Sequence, residues 1–567
     1  MSREAVVVGS GAAGSAVAWE LARQGWDVTI LERGTHLRPG LGQRPAGRLG
    51  TTYGSDEIKG LRGYGFPDGL LEPVTTRTQA QARAGVARSA QGALGQLGAA
   101  VGGTTLHYNA KTPRFWGQDF TQRSDLGPVP EAAVADWPID YDDLAPFYDL
   151  VEDRIGVQGD RAATPARTRA QTPRTRDFPM PPNPTGYAAG LLAQGARALG
   201  WEPYPYPAAV NSRPRDGRPA CNACGLCSGF GCPIDARGDA IAGFLHPALR
   251  SGRVRVIDRA WVHRIETTRD GRRARAVHWH DVDGGSHRLA ATTVVLAGSP
   301  INTARLLLLS RSTAHPDGLG NGSDLVGRHM MFHNFTLAGS VFAEHVEPLR
   351  AQSTTLVLDD LVGPFRGAPV RELGVPYVVG GLLQVGSGAP PIQGASMLAA
   401  YTGWGLALKE VMKAGLHAGI AGSQLVHQDL PQAANRVDLD PRVRDLHGLP
   451  APRVTYSPHR HEQAAATLLG AQLAMHRLAP GAVGALVLPF PLLSDGITNT
   501  AHLAGTARMG TDPRHSVCAP SGRLHEVENV YVADASTWPT FPGFNPTLTI
   551  MANAVRIARG LAERSAT

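Results

Sequence analysis

Three glycines near the start of the chain have a spacing that lets backbone approach a phosphate group. Gly9, Gly11 and Gly14 form G-x-G-x-x-G, and Glu32 follows about 20 residues later. The start of a following helix favours the negative charge of a pyrophosphate, and a carboxylate in that place can accept both ribose hydroxyl hydrogens. The motif therefore predicts a dinucleotide site, and by itself it leaves NAD and FAD open.

The segments around these glycines have the pattern of a βαβ unit. Residues 5–8 and 28–31 are apolar runs typical of buried strands, and the residues between them, up to Arg23, have one apolar helical face. We therefore expect an α/β fold that begins with a dinucleotide-binding unit.

Two later segments repeat this pattern and indicate that the first domain is discontinuous. A strand is expected over residues 292–297, ending at Gly298, with a helix over residues 302–309. Another strand is expected over residues 530–533, ending at Asp534, with a helix over residues 546–561. Both pairs should return to the sheet that holds the glycine turn.

Three further segments resemble those of the glucose-methanol-choline (GMC) oxidoreductases, a family of FAD enzymes. They are residues 101–109 with the double glycine Gly102-Gly103, residues 502–510, and residues 534–550. The resemblance covers nearly the whole chain and is strongest toward members that oxidise pyranoses, C-glycosides and sugar acids. It implies FAD, a Rossmann-like FAD-binding domain, and a second, substrate-binding domain of antiparallel sheet and helices.

The domain boundaries follow from the same comparison of segments. Residues 1–119, 216–330 and 495–567 are expected to form the FAD-binding domain, and residues 120–215 and 331–494 the substrate-binding domain.

The resemblance also implies two catalytic residues, and their chemistry suits alcohol oxidation. Removing hydride from an alcohol carbon requires the hydroxyl proton to leave, and histidine is a suitable base near neutral pH. His502 is the expected base. Asn545 is the expected partner, because its amide can donate to the oxygen as negative charge develops. Asn545-Pro546 is also typical of a helix start, with Asn545 as the cap.

The remaining cofactor contacts form a longer set, drawn from the motif and the resemblance. The expected FAD-binding residues are Gly9, Ser10, Gly11, Ala13, Gly14, Glu32, Arg33, Gly102, Gly103, Thr104, His107, Asn109, Ala110, Val262, Ala297, Gly298, Asp534, Asn545, Pro546 and Thr547. His107 resembles a histidine that some members join covalently to the flavin, so both a bond and a noncovalent contact stay open.

A cluster of cysteines adds a further possibility for redox chemistry. Cys221, Cys224, Cys227 and Cys232 lie within twelve residues, in a spacing near that of some iron–sulfur ligands. An iron–sulfur cluster, a zinc site and free thiols are the alternatives, and no metal is the expectation.

Composition excludes several classes of partner. The net charge is +7, but the basic residues are scattered among acids, so we expect no nucleic-acid interface. No apolar run approaches the ~18 residues of a membrane span, and the strand pattern starts too early for a signal peptide. A cytoplasmic enzyme is expected.

The function indicated is oxidation of an alcohol, with a sugar, glycoside or cyclitol hydroxyl as the first expectation. Oxygen would make the enzyme an oxidase, and a quinone or cytochrome acceptor would make it a dehydrogenase. Two alternatives are a dehydrogenase with an iron–sulfur cluster and a redox-silent, FAD-containing lyase. The sequence leaves the oligomeric state open.

Overall fold

A computed structural model describes residues 3–37, 67–92, 97–488 and 500–565. Its central feature is a parallel sheet whose inner strands are largely buried. The strand order is Val530–Val532, Val294–Leu296, Glu4–Val8, Asp27–Leu31 and Val254–Ile257. Near-continuous Val, Leu and Ile runs are typical of parallel strands covered on both faces. The α/β class predicted from the sequence is confirmed.

Helices cover the parallel sheet. Ala12–Arg23 follows the first strand directly, and Thr547–Arg564 packs against it. Both helices are built largely of buried alanine and branched apolar residues, which permits close packing. Pro300–Leu309 begins after the strand Val294–Leu296, so three helices start near the carboxyl ends of the strands.

A six-stranded antiparallel sheet forms the other large layer. Its order is Ala482–Leu488, Phe335–Phe342, Ile420–Val426, Leu383–Ser387, Leu356–Leu358 and Tyr204–Pro205. The antiparallel sheet expected for the substrate side is therefore present. The exact domain boundaries stay a prediction.

Smaller sheets and helices complete the described part of the chain. The small sheets are Arg436–Arg444 with Pro450–Thr455, Val74–Arg77 and Ala90–Gly92; Trp261–Thr267 with Ala274–His280 and Ser286–Ala290; and Met331–Phe332 with Leu503–Ala504. The other α-helices are Gln79–Arg83, Gln122–Leu126, Tyr141–Ile155, Ala166–Gln171, Tyr187–Ala198, His246–Arg250, Ala368–Glu372, Pro391–Thr402, Leu406–Lys413, Arg460–Ala465 and Leu469–Arg477. Short 3₁₀ turns span Gly103–Leu106, Gly117–Asp119, Leu416–Gly419, Ala466–Leu468 and Ala535–Thr537, and Ile241–Leu245 is a π turn.

None of the helices in the described ranges has both the length and the hydropathy needed to cross a bilayer.

Candidate active site

The carboxyl ends of the parallel strands face a cavity of about 1390 Å³. The glycine turn lines one side of it, and strands of the six-stranded sheet line another. Pockets for a single drug-sized ligand are usually about 300–1,000 Å³. A cavity of this size has room for a large cofactor together with a substrate.

Two glycine segments meet at the cavity and leave no room for side chains. Gly9 has φ +97°, and a Cβ there would lie 2.6 Å from the carbonyl oxygen of Ala297. Gly103 has φ +57°, and a Cβ there would lie 2.9 Å from the Cα of Gly11. The two segments form a bare backbone surface at the start of the helix Ala12–Arg23, which fits the pyrophosphate of a dinucleotide.

Ser10 and Glu32 connect these segments beneath the cavity. Ser10 Oγ donates to Glu32 over 2.7 Å and accepts from the backbone N–H of Gly102 over 3.1 Å. Glu32 also accepts from the N–H groups of Ser10 and Gly34, each over 2.8 Å. A carboxylate has about four acceptor sites, so about one remains for a cofactor hydroxyl. That is fewer than the two ribose hydrogens expected from the sequence.

Most of the predicted cofactor residues line the cavity. Those that do are Gly9, Gly11, Ala13, Glu32, Arg33, Gly103, Thr104, His107, Asn109, Val262, Ala297, Gly298, Asp534, Asn545, Pro546 and Thr547.

Four predicted residues, Ser10, Gly14, Gly102 and Ala110, are not among the lining residues and support the cavity from behind. Ser10 forms the bridge described above. A Cβ on Gly14 would lie 1.9 Å from the carbonyl oxygen of Gly9, so Gly14 permits close packing of helix on turn. Gly102 and Ala110 hold positive φ values of +97° and +60° on either side of the Gly103–Leu106 turn.

Asp534 fixes two loops at the cavity wall. Its carboxylate accepts from the N–H of Ser299 over 2.9 Å, the hydroxyl of Thr303 over 2.7 Å and the N–H of Ser536 over 2.9 Å. Burial raises its pKa. Direct contact of Asp534 with the cofactor stays a prediction.

His107 lies in the cavity wall as a neutral ring. Burial, together with the nearby charge of Arg237, lowers its pKa to about 3. The cysteine segment packs behind it, with the N–H of Gly229 donating to the His107 carbonyl over 2.8 Å. Covalent attachment of flavin at His107 stays a prediction of the resemblance.

The four clustered thiols do not form a metal site in this structure. Cys224 is exposed, whereas Cys221, Cys227 and Cys232 are partly buried. Within the described ranges, no group of three or more His, Cys, Asp or Glu side chains could hold a metal ion. The residues present therefore do not fit an iron–sulfur cluster, and that alternative is not favoured.

Two short strands bring the candidate base against a second histidine. Met331–Phe332 pairs antiparallel with Leu503–Ala504, which makes neighbours of His333 and His502. Their Nδ1 atoms lie 3.0 Å apart. His502 lines the cavity, and His333 is fully buried. His333 was not predicted from the sequence, since its role depends on this pairing.

The hydrogen bonds of His333 determine which nitrogen of His502 is free. Nε2 of His333 lies 2.9 Å from the carbonyl oxygen of Pro542, which only accepts, so this Nε2 carries the hydrogen. Burial, and the neighbouring ring of His502, hold the pKa of His333 well below its usual range. Its Nδ1 is therefore an acceptor, and Nδ1 of His502 must donate to it. This leaves Nε2 of His502 as an acceptor that has no hydrogen-bond partner among the described residues.

Burial also lowers the pKa of His502 to about 4, so the ring is neutral at physiological pH. A bare Nε2 on a neutral imidazole at the cavity wall is the state that a general base requires.

Asn545 is held by two side chains from the substrate side. Its Oδ1 accepts from the hydroxyl of Tyr206 and from Nε2 of Gln384, the latter over 3.1 Å. The amide nitrogen of Asn545 has no acceptor among the described residues, so it can donate to a ligand in the cavity. Asn545 does not cap the following helix, which runs Thr547–Arg564 and has no side-chain cap. The helix starts one residue later than the sequence suggested, and Pro546 is the cap residue.

Comparison with known proteins agrees with this geometry. The sequence model of GMC oxidoreductases matches residues 130–335 and 431–554, and that of FAD dependent oxidoreductases matches residues 4–91. The chain is 31% identical to 6'''-hydroxyparomomycin C oxidase of Streptomyces lividus, across 99% of this chain and 91% of that protein. It is 30% identical to 2-methyl-1,2-propanediol dehydrogenase of Mycolicibacterium austroafricanum, across 99% and 95%.

A solved structure supports the fold. Pyridoxine 4-oxidase from Mesorbium loti has a TM-score of 0.63 with this chain at 19% identity, and the match covers 98% of both chains.

The chain belongs to the GMC oxidoreductase family. It is an FAD-dependent enzyme that oxidises an alcohol group to a carbonyl. The predicted family, cofactor and reaction class are confirmed, and a redox-silent lyase is not favoured.

The contact between Gly103 and Gly11 gives a first prediction. We expect Gly103→Ala to weaken FAD binding at least about tenfold, because the added Cβ forces the two glycine segments apart. Gly252→Ala is the matched control, since Gly252 also has positive φ (+73°) but a Cβ there meets nothing within 4 Å. The measurement is the flavin content of each purified variant, from its absorption spectrum. Equal flavin content in both would contradict the assignment of these two segments, residues 9–14 and 102–103, here called the glycine cradle, to cofactor binding.

The pairing of His333 with His502 gives a second prediction. His333→Leu removes the acceptor that fixes the His502 tautomer, and we expect flavin reduction by substrate to slow at least about tenfold. His333→Asn, whose amide oxygen can replace Nδ1 as acceptor, should restore much of the rate. Rapid-mixing measurements of flavin reduction test this order. Equal losses in the two variants would indicate a packing role only.

Proposed function

We propose that this enzyme oxidises a hydroxyl group of a sugar, glycoside, cyclitol or related polyol, with His502 as base and Asn545 holding the reacting oxygen. One observation carries the proposal. A bare imidazole nitrogen and a free amide N–H line the same cavity as the glycine cradle, although they come from different segments.

Each residue has a defined part in the chemistry. Bound FAD would accept hydride from the carbon that carries the hydroxyl. His502 accepts the hydroxyl proton on Nε2, while its Nδ1–H bond to His333 keeps the ring in place. Asn545 donates to the oxygen as negative charge develops, and its own amide is held by Tyr206 and Gln384. The oxygen ends as a carbonyl.

The wall of the six-stranded sheet supports a hydroxyl-rich substrate. Gln384 and Gln424 lie opposite each other on neighbouring strands, and both line the cavity. Leu337 stands opposite Gln424 on the next strand and adds an apolar surface. Amides both donate to and accept from hydroxyl groups, whereas apolar side chains can cover a carbon ring. The names of the relatives, a paromomycin-type oxidase and a diol dehydrogenase, favour the same class.

A substrate panel tests the proposal. It should contain an aminoglycoside, aldoses, ketoses, cyclitols, a 1,2-diol and simple aliphatic and aromatic alcohols. Because the relatives include an oxidase and a dehydrogenase, each compound is assayed with oxygen and with a quinone-type dye, and the carbonyl product is trapped. We expect turnover to concentrate among the polyhydroxylated compounds. Turnover confined to simple alcohols would overturn the proposed substrate class.

A further inference from the structure

One buried amide in the substrate part of the cavity has an unused acceptor. Gln384 is the second residue of the strand Leu383–Ser387 and is 2% exposed. Its Nε2 donates to Asn545, but its Oε1 is buried and has no hydrogen-bond partner among the described residues. A buried carbonyl oxygen without a donor is costly, so such an atom indicates a missing partner.

The orientation of this amide follows from that of Asn545, whose Oδ1 faces both the hydroxyl of Tyr206 and the amide of Gln384. Oδ1 of Asn545 can only accept, and it already accepts from the hydroxyl of Tyr206. The atom of Gln384 that faces it must therefore be the nitrogen. This leaves Oε1 of Gln384 as an acceptor in a side chain that lines the cavity.

The neighbours of Gln384 supply no donor. In the sheet, Val357 lies opposite it on one side and Gln424 on the other. Val357 is a fully buried apolar residue, and neither Gln424 nor any other described residue donates to Oε1 of Gln384. The donor must come from what occupies the cavity.

We infer that Gln384 recognises a hydroxyl on the carbon next to the one oxidised, so that the enzyme selects vicinal diols. This inference rests on the proposed function. The amide of Asn545 donates to the reacting oxygen, and the adjoining Oε1 of Gln384 accepts from the neighbouring hydroxyl. A donor and an acceptor on two amides that are hydrogen-bonded to each other match two adjacent hydroxyl groups, one of which gives its proton to His502 while the other keeps its own.

The test compares matched substrates that differ by one hydroxyl. The pairs are trans-1,2-cyclohexanediol with cyclohexanol, and 2-methyl-1,2-propanediol with 2-methyl-1-propanol. Anaerobic flavin reduction by the wild-type holoenzyme should be about 10- to 100-fold more efficient with each diol, the effect of one hydrogen bond to a buried acceptor. Similar efficiencies within each pair would overturn the inference, as expected if only water occupies Oε1.

Variants of Gln384 distinguish its recognition of the second hydroxyl group from its support of Asn545. Gln384→Met removes both amide ends, so it should slow all four compounds and abolish the preference for diols. Gln384→Glu, protonated by burial, can donate to Asn545 and still accept, so it should keep the preference. Val357→Ala is the matched control, since Val357 lies opposite Gln384 on the neighbouring strand and is fully buried, and it should leave the ratio within each pair unchanged. A diol preference that survives Gln384→Met would overturn the inference. Flavin that no hydroxyl compound reduces would instead count against the proposed function.

Discussion

Replacing His502 with alanine is expected to slow flavin reduction by about 10²–10⁴-fold, the usual contribution of a positioned general base. The expectation follows from Nε2 of His502, which is the ring nitrogen that the hydrogen bond to His333 does not use. The flavin spectrum should be retained, because the glycine cradle is formed by other segments. The measurement is the rate of flavin reduction when the alcohol substrate is rapidly mixed with the oxidised holoenzyme in the absence of oxygen.

A matched control exists within the same cavity. His263 also lines it, and burial together with nearby histidines lowers its pKa to about 4, so it has the same charge state as His502. His263→Ala should keep most of the wild-type rate. Equal losses in His263→Ala and His502→Ala would remove the case for His502 as the base.

The pH dependence of the wild-type enzyme provides an independent check on His502. A base must be unprotonated, so the rate is complete above its pKa and falls as the pH drops through it. Burial lowers that pKa to about 4, below the usual histidine value of about 6.5. We therefore expect flavin reduction to be nearly constant between about pH 5.5 and 8. A loss of rate centred near pH 6.5 would indicate a histidine with an ordinary pKa.

Replacing Asn545 with alanine is expected to slow flavin reduction by about 10²–10³-fold, the usual effect of removing one donor to a developing oxyanion. Asn545→Asp should be at least as slow, because hydrogen bonds from Tyr206 and Gln384 favour its carboxylate form, which cannot donate and repels the same charge. Tyr206→Phe provides a graded control. It removes one of the two bonds to Oδ1 while Gln384 still holds the amide, so its effect should be smaller.

We expect Tyr206→Phe to be faster than both Asn545→Ala and Asn545→Asp. A general packing defect would not produce this order. Tyr206 is fully buried, so Tyr206→Phe disturbs the interior as well as the hydrogen bond. If Tyr206→Phe were as slow as Asn545→Ala, the amide of Asn545 would have no special part in holding the oxygen.

Local patterns in the sequence were sufficient to predict the strands and helices that surround the glycine turn. The glycine turn, the strand Glu4–Val8 and the helix Ala12–Arg23 are contiguous, and their residues have the expected periodicity. The strand Val294–Leu296 and the helix Pro300–Leu309 also fall where apolar runs predict them. Such elements are encoded by neighbouring residues, so a short window of sequence reveals them.

The support of the catalytic pair could not be found in this way. His333 precedes His502 by 169 residues and Gln384 precedes Asn545 by 161, so each contact depends on how distant strands pair. A one-residue change of strand register would turn either side chain away from its partner. The chain has 20 histidines, so residue type alone did not single out His333. Asn545 was expected to cap a helix, but stronger partners on the substrate side bind its amide.

The most direct test of the account is a single turnover of the holoenzyme without oxygen. A polyol from the substrate panel is mixed with the oxidised enzyme, and the flavin absorbance and the carbonyl product are followed together. We predict that the absorbance of oxidised flavin disappears while one carbonyl forms for each flavin reduced. Flavin that stays oxidised while the polyol is converted, or while saturating polyols of every class are present, would contradict oxidation by hydride transfer at this site.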